Sequence, residues 1–85
     1  IALCGGSGSF LIETAKAKKV DCFITSDLKY HEFFEADNQL LLVDIGHGES
    51  EQYVPDLIVA YLTIKFPTFA VLRSLVNTQP VTYLK

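Results

Sequence analysis

The chain has 85 residues, 49% of them hydrophobic and 20% charged, and a formal net charge of -3. This composition is that of a small globular domain, and it excludes an intrinsically disordered chain, which has few apolar residues and a high net charge. The mild acidic excess argues against nucleic acid or an anionic membrane surface as a partner, because both need clustered Lys and Arg.

Length and hydropathy bear on membrane insertion, on contact with partners and on domain organisation. A transmembrane helix needs about 18 or more consecutive apolar residues, and the longest run here, residues 40–43, ends at Asp44. The mean hydropathy of +0.28 is high for so short a chain and indicates an apolar surface that meets a partner. Because the chain opens with Ile inside a predicted strand, we expect residues 1–85 to be one domain, a C-terminal piece of a larger protein.

The first part of the chain predicts two buried strands that flank a helix. Residues 1–4 are apolar and run into the glycines and serines of residues 5–9, which is typical of a buried strand that ends in a tight turn. From Phe10 the apolar residues follow a helical period, and we expect the hydroxyl of Ser9 to cap that helix. Residues 22–25 then predict the second strand.

A short helix and a third strand are predicted next. The helix covers about Tyr30–Ala36, and we expect its aromatic side chains in the core. The strand covers residues 40–45, an apolar run that stops where the glycines around His47 begin.

The helix that begins at Val54 has the strongest signal in the sequence. Its apolar residues recur at i, i+3, i+4, i+7 and i+8, and Pro55 suits a first turn, where its missing N–H costs nothing. Residues 68–76 predict a fourth strand. Strands that alternate with helices and are continuous apolar runs are typical of parallel sheets. We therefore expect an α/β fold with a mainly parallel sheet and covering helices, in the order β-α-β-α-β-α-β.

Unusual polar segments follow three of the predicted strands: residues 5–9, 26–31 and 46–51. Ligands of open α/β sheets bind outside the carboxyl ends of the strands. If the strands are parallel, these three segments converge on one edge of the sheet, and that edge is the predicted functional site.

The glycine segment is a candidate ligand contact through Gly5, Gly6, Ser7 and Gly8. Gly6 and Gly8 form a Gly-x-Gly, but position 11 is Leu, so the dinucleotide fingerprint is incomplete, and no Walker motif is present. A glycine turn that leads into a helix can hold an anion on its N–H groups. The alternative is a tight turn that needs glycine for backbone reasons alone.

His47 and Glu51 form the sharper candidate pair. His47 ends the third strand, and Glu51 follows four residues later in the opening turn of a helix. An imidazole and a carboxylate so placed can both reach one divalent metal ion. Alternatively, both are surface residues, and Glu51 merely favours the helix N-terminus. Asp44 is either an acceptor for a hydrogen bond from the His47 ring or a structural acid at the sheet edge.

Asp27 and His31 are also four residues apart, at the start of the short helix. They are either a helix N-cap with a surface histidine or a pair that handles protons at the same sheet edge.

Catalysis by a serine nucleophile has no support, because no Gly-x-Ser-x-Gly motif is present. Cys4 and Cys22 lie inside apolar segments, which suits buried thiols in a reducing compartment, and we expect a cytoplasmic protein.

Four motifs occur together in one order: Cys4–Ser9, Thr25–His31, Asp44–His47 with Glu51, and Asn77-Thr78 with Pro80. In this combination the chain resembles the C-terminal half of the NGG-one-interacting-factor-like family, often labelled type 2 GTP cyclohydrolase I. The resemblance covers nearly the whole chain. Ser26 departs from the family's usual glycine, and Gly48-Glu49 departs from its usual tyrosine-containing stretch; both changes concern the shape of the substrate more than metal binding.

The resemblance implies a site for two divalent metal ions between two similar α/β halves, usually in a hexameric ring. By residue, it implies that His47 and Glu51 are metal ligands, while two histidines and an aspartate come from the N-terminal half. It makes the glycine segment, Asp27 and His31 candidates for the same cavity, with His31 as a proton shuttle. The identity of the metal (Zn, Mn, Fe, Co or Ni) is left open.

Three functions follow from these observations, in order of preference. The first is part of a metal-dependent hydrolase, in which case residues 1–85 alone are inactive because they hold too few ligands. The second is a non-catalytic interaction or assembly module with the same fold. The third is a small anion-binding domain that uses the glycine segment.

Overall fold

A computed structural model describes all of residues 1–85. The chain forms two compact units, residues 1–52 and residues 53–85. The longest helix has 12 residues, and no helix has the length and hydropathy that crossing a membrane requires. Cys4 and Cys22 are both free and half-buried.

The first unit contains a sheet of three parallel strands in the order β1-β2-β3. Its elements are β1 (Ala2–Ser7), a 3-10 helix (Ser9–Leu11), α1 (Ile12–Ala17), β2 (Cys22–Ser26), a second 3-10 helix (Tyr30–Ala36), β3 (Leu41–Asp44) and α2 (His47–Glu51). Each strand is followed by a helix, as the alternating sequence pattern predicts. The predicted α/β class with a parallel sheet is confirmed.

One face of the sheet carries the core of this unit. Ile12 and Ala15 of α1 pack with Phe23 of β2 and Leu42 of β3, and Leu40 completes the cluster. Ile12 and Phe23 are each only 1% exposed. The apolar helical face predicted after Phe10 therefore does bury against the strands.

The glycine segment is the end of a strand and not the predicted tight turn. Leu3 of β1 pairs with Ile24 of β2, and Ser7 pairs with Ser26. Between these pairs β1 advances by four residues and β2 by only two, so the pairing is irregular at this point. Within the irregularity Gly6 has a φ of +66°, a left-handed conformation that glycine adopts without a Cβ clash. The bulged strand end, rather than a loop, presents the glycines to the sheet edge.

Two further local expectations are wrong. Ser9 does not cap α1, because it begins the preceding 3-10 turn, and Leu11 occupies the N-cap position without a side-chain bond. Tyr30 and Phe34 are exposed rather than in the core. Their segment forms a 3-10 helix, which does not provide the broad i, i+3, i+4 face of an α-helix. Their rings pack edge to face instead, with centroids 5.4 Å apart.

The second unit consists of α3 (Val54–Lys65) and a following segment without regular structure. The helix and the position of Pro55 in its first turn are confirmed. The apolar stripe is not buried, since Leu57 is 68% exposed and Ile64 is 83% exposed. The predicted fourth strand at residues 68–76 is wrong, because a strand needs a hydrogen-bonding partner and this unit contains no other strand.

Candidate metal-binding site

The carboxyl ends of the three strands bring together four polar side chains from distant parts of the chain. Ser7 is the last residue of β1, Asp27 directly follows β2, and His47 and Glu51 lie on α2, which follows β3. Because the strands are parallel, these positions share one edge of the sheet. The predicted convergence on this edge is confirmed for these residues.

The ring of His47 lies between two carboxylates. Its Nδ1 is 2.6 Å from Oδ2 of Asp27, and its Nε2 is 3.3 Å from Oε2 of Glu51. Glu51 reaches the ring because residues four apart lie on the same face of a helix. All three side chains are about half exposed, at 47%, 47% and 49%, so solvent and ions have access to them.

Ser7 completes the cluster on the Asp27 side. Its hydroxyl donates to Oδ2 of Asp27, the same oxygen that bonds to Nδ1 of His47. The bond between Asp27 and His47 was missed in the sequence, since it joins residues 20 positions apart and depends on the order of the strands in the sheet. The available signal was that both residues follow predicted parallel strands.

Negative charge dominates the electrostatics of this cluster. The hydrogen bond from Ser7, and then the bond with His47, lower the pKa of the Asp27 carboxyl. The hydrogen bond to Asp27, followed by the charges of Asp27 and Glu51, raises the pKa of His47. The raised pKa of His47 means that the surroundings stabilise a positive charge at the ring, and the lowered pKa of Asp27 keeps its carboxylate charged. A cation bound at this point would experience the same attraction.

The backbone of Gly6 ties the strand ends to α2. Its N–H donates to Oγ of Ser50 at 2.8 Å, and that hydroxyl donates to the carbonyl of His47 at 2.8 Å. The carbonyl oxygen of Gly6 accepts hydrogen bonds from the hydroxyls of Thr25 and Ser26, at 3.1 Å and 2.5 Å, and both residues are fully buried. Ser26 thus helps to hold the site in place.

A side chain at position 6 would displace the carboxylate of Glu51. A Cβ on Gly6 would overlap Oε1 of Glu51 and lie 3.3 Å from Nε2 of His47. The space next to both candidate ligand atoms therefore depends on this glycine.

Among the predicted ligand contacts of the glycine segment, Gly6 and Gly8 are buried, while Gly5 and Ser7 are exposed. The N–H of Gly6, which an anion would use, already bonds to Ser50. Anion binding by this segment would therefore have to use other N–H groups.

Asp44 is the structural acid of the two alternatives. Its carboxylate accepts hydrogen bonds from the backbone N–H groups of Leu28 and Gly46, at 2.9 Å and 3.0 Å. These bonds fix the segments that follow β2 and β3. The acceptor for the His47 ring is Asp27, and not Asp44.

His31 does not join the cluster. It lies on the second 3-10 helix, where its ring packs against that of Tyr30 with centroids 5.3 Å apart, and it makes no hydrogen bond to Asp27. Asp27 is not the cap of that helix either, because the N-cap position belongs to Lys29. The structure thus pairs Asp27 with the other histidine of the chain.

The donor atoms fit part of the coordination sphere of a metal ion. Nε2 of His47 and Oε2 of Glu51 are 3.3 Å apart, and two ligand atoms that each lie about 2.0–2.2 Å from one tetrahedral ion are roughly 3.3–3.6 Å apart. Nitrogen and oxygen ligands suit zinc and other first-row divalent ions. Residues 1–85 contain no group of three or more His, Cys, Asp or Glu side chains placed to hold a metal ion. Residues 1–85 therefore offer two candidate ligands rather than a complete set.

Fold and site together define an α/β segment with a histidine-carboxylate cluster at the carboxyl edge of a parallel sheet. Residues 1–80 match the family described as Duf34/NIF3 (NGG1p interacting factor 3). The chain therefore belongs to the Duf34/NIF3 family, and the resemblance seen in the motifs is confirmed.

Curated relatives carry the description "GTP cyclohydrolase 1 type 2 homolog". The one from Campylobacter jejuni is 52% identical over 54 residues, which is 62% of this chain and 21% of the relative. The one from Staphylococcus aureus is 30% identical over 88 residues, which is 99% of this chain and 24% of the relative. The chain thus spans about a quarter of the length of these proteins.

Solved structures give the same result. The crystal structure of Staphylococcus aureus protein SA1388 superposes with a TM-score of 0.71 and 28% identity, over 96% of this chain and 28% of that one. A Bacillus cereus protein related to NIF3 superposes with a TM-score of 0.69 and 28% identity, over 96% of this chain and 24% of that one.

Proposed function

We propose that residues 1–85 are the C-terminal part of a longer metal-dependent hydrolase, to which they contribute His47 and Glu51 as metal ligands. The observation that carries this proposal is the distance of 3.3 Å between Nε2 of His47 and Oε2 of Glu51, next to Gly6, which has no side chain to fill the space. The short span of the chain relative to its relatives supports a larger parent protein.

The electronic character of these two atoms supports a cation between them. A carboxylate oxygen only accepts hydrogen bonds, so the nitrogen of His47 that bonds to Asp27 carries the hydrogen. In the neutral ring, Nε2 then has a lone pair, and it faces a carboxylate oxygen of Glu51 at 3.3 Å. Two electron-rich atoms at this distance repel each other unless a positive charge lies between them. A proton or a divalent metal ion provides that charge.

The remaining ligands belong to the rest of the parent protein in this proposal. The resemblance supports two histidines and an aspartate from the N-terminal half, and a second ion in the same site. Such a pair of ions activates water and polarises the bond to be cleaved. His31, Gly5 and Ser7 are exposed and stay candidates for proton transfer and substrate contact. The proposal includes a cytoplasmic location, where free cysteines such as those of this chain persist.

A second candidate function is that of a non-catalytic assembly module. The apolar residues on α3 favour it, because Leu57 and Ile64 are exposed and suit contact with another protein surface. A hexameric ring, as in the family, would use such a surface in either case. Metal content therefore separates the two functions better than oligomeric state does.

The deciding experiment is the metal content of the full-length protein, measured by mass spectrometry after gentle purification and reloading. We expect about two divalent ions per chain, and fewer in both His47→Ala and Glu51→Ala. His31→Ala and Glu35→Gln are matched controls, since they change the other histidine and an exposed glutamate of the second 3-10 helix. Full metal content in the first two variants, or no metal in the parent, would overturn the proposal and favour the assembly module.

A further inference from the structure

The carboxylate of Asp27 bonds to the ring nitrogen of His47 that faces away from Glu51. Its Oδ2 accepts a hydrogen bond from Nδ1 of His47 at 2.6 Å and a second one from the hydroxyl of Ser7. One oxygen of Asp27, which follows β2, thus accepts hydrogen bonds from a residue of β1 and from a residue of α2. All three strand ends take part in the orientation of one imidazole ring.

We propose that Asp27 and Ser7 are positioning residues that hold His47 in the Nδ1–H tautomer and thereby keep Nε2 free to bind the metal ion. This inference rests on the proposed function, in which Nε2 of His47 is a metal ligand. The hydrogen bond made by one ring nitrogen decides which nitrogen carries the proton. Asp27 is the nearer of the two carboxylates, at 2.6 Å against 3.3 Å for Glu51, so the proton resides on Nδ1.

The backbone holds Asp27 in a conformation suited to this contact. Its φ is +57°, a left-handed value that aspartate tolerates better than most residues. The preceding Ser26 is fully buried and donates to the carbonyl of Gly6, which fixes the end of β2. The backbone at Asp27 is therefore fixed by β2, and its carboxylate is held by the bonds to Ser7 and His47.

Stability alone does not explain the contact. The side chains of Asp27 and His47 are about half exposed, and ion pairs between exposed groups contribute little to folding. Asp44 shows the contrast, because its carboxylate holds two backbone N–H groups in the loops after β2 and β3. What the bond from Asp27 provides is the orientation and the tautomer of a ring. Bonds of this kind to metal-ligating histidines typically change metal affinity by 10–100-fold.

The test compares Asp27→Gly with Asp37→Gly. Glycine removes the carboxylate but keeps the left-handed backbone free of strain, and Asp37 has the same backbone conformation, with a φ of +48°, at the end of the second 3-10 helix away from the cluster. The first measurement is ¹⁵N NMR of histidine-labelled, metal-free full-length protein at a pH where the ring is neutral. The His47 signal is identified by its loss in His47→Gln.

We expect the parent protein and Asp37→Gly to carry the hydrogen of His47 on Nδ1. In Asp27→Gly, Glu51 is the remaining carboxylate at the ring, and we expect the hydrogen to move to Nε2. We also expect the metal affinity of Asp27→Gly, measured by calorimetry, to fall by about 10–100-fold. Ser7→Ala should weaken it in the same direction by less than about tenfold, since Asp27 remains.

The outcomes distinguish this inference from the function on which it rests. Absence of metal from the parent protein overturns the proposed function, while the tautomer measurement still reports on Asp27. An unchanged tautomer in Asp27→Gly overturns the positioning role, even where the parent binds metal. Unchanged metal affinity in that variant overturns it as well.

Discussion

Replacement of Gly6 by alanine tests how the strand end controls the site. Gly6 has a φ of +66°, and a Cβ at this position would overlap Oε1 of Glu51. The backbone cannot rotate freely to relieve the strain, because the N–H of Gly6 is bonded to Ser50 and its carbonyl to two buried hydroxyls. The strain therefore remains at position 6, and Glu51, whose carboxylate is the free end of a flexible side chain, moves away.

The expected magnitudes differ for folding and for metal binding. The left-handed conformation costs a residue with a Cβ about 1–2 kcal/mol relative to glycine. Displacement of Glu51 from the ring of His47 should weaken metal binding by at least about tenfold, the lower limit for disturbing the surroundings of a ligand.

Gly5→Ala is the matched control on the same strand. A Cβ at Gly5 would lie 3.8 Å from the nearest atom, the backbone oxygen of Ser50, which is an ordinary contact. We expect this variant to stay within about 0.5 kcal/mol of the parent. The assays, both on the full-length protein, are thermal unfolding followed by circular dichroism and metal titration by calorimetry. Equal Tm values and equal metal affinities for Gly5→Ala and Gly6→Ala would refute the reasoning.

Two further predictions concern the core and the charge of the site. Phe23→Ala should lower the free energy of unfolding by about 3–5 kcal/mol, because the ring is 1% exposed. Leu57→Ala, at an exposed position, should change it by less than about 0.5 kcal/mol. Equal shifts of the two variants in denaturant titrations would contradict the assignment of the core. The pKa of His47 in the metal-free protein should exceed the ordinary histidine value and fall in Asp27→Gly, as ¹H NMR titration can show. Since the raised pKa belongs to the folded state, the stabilisation by the protonated ring is complete below the ordinary pKa and is lost as the pH rises through the raised one; a profile with the opposite sign would contradict the ion pair.

Local patterns predicted most of the first unit correctly. The apolar runs at residues 22–25 and 40–45 became β2 and β3, and the apolar positions after Phe10 became the buried face of α1. These patterns reflect burial, which leaves a direct trace in the spacing of apolar residues. The same patterns misjudged residues 68–76, because an apolar run does not show whether a pairing strand is available.

The pair of His47 and Glu51 could be predicted because both residues lie on one short helix. Four residues of spacing determine that their side chains meet, whatever the rest of the fold does. The partner of the ring was misjudged for the opposite reason. The sequence offered Asp44 as a partner of His47 and His31 as a partner of Asp27, since each pair is close in the sequence. In the structure, Asp27 is the residue that contacts His47.

The sequence by itself determined the α/β class and the family, from alternating apolar patterns and four motifs in one order, and it determined the proposed ligand pair, because His47 and Glu51 are four residues apart. Only the tertiary structure decided that Ser7, Asp27 and His47 meet, because this contact requires three parallel strands in the order β1-β2-β3. It also decided that Gly6 is the bulged end of a strand, where a side chain would displace Glu51. Hydrogen bonds between strand ends depend on which strands are neighbours, and no local pattern of residues records that.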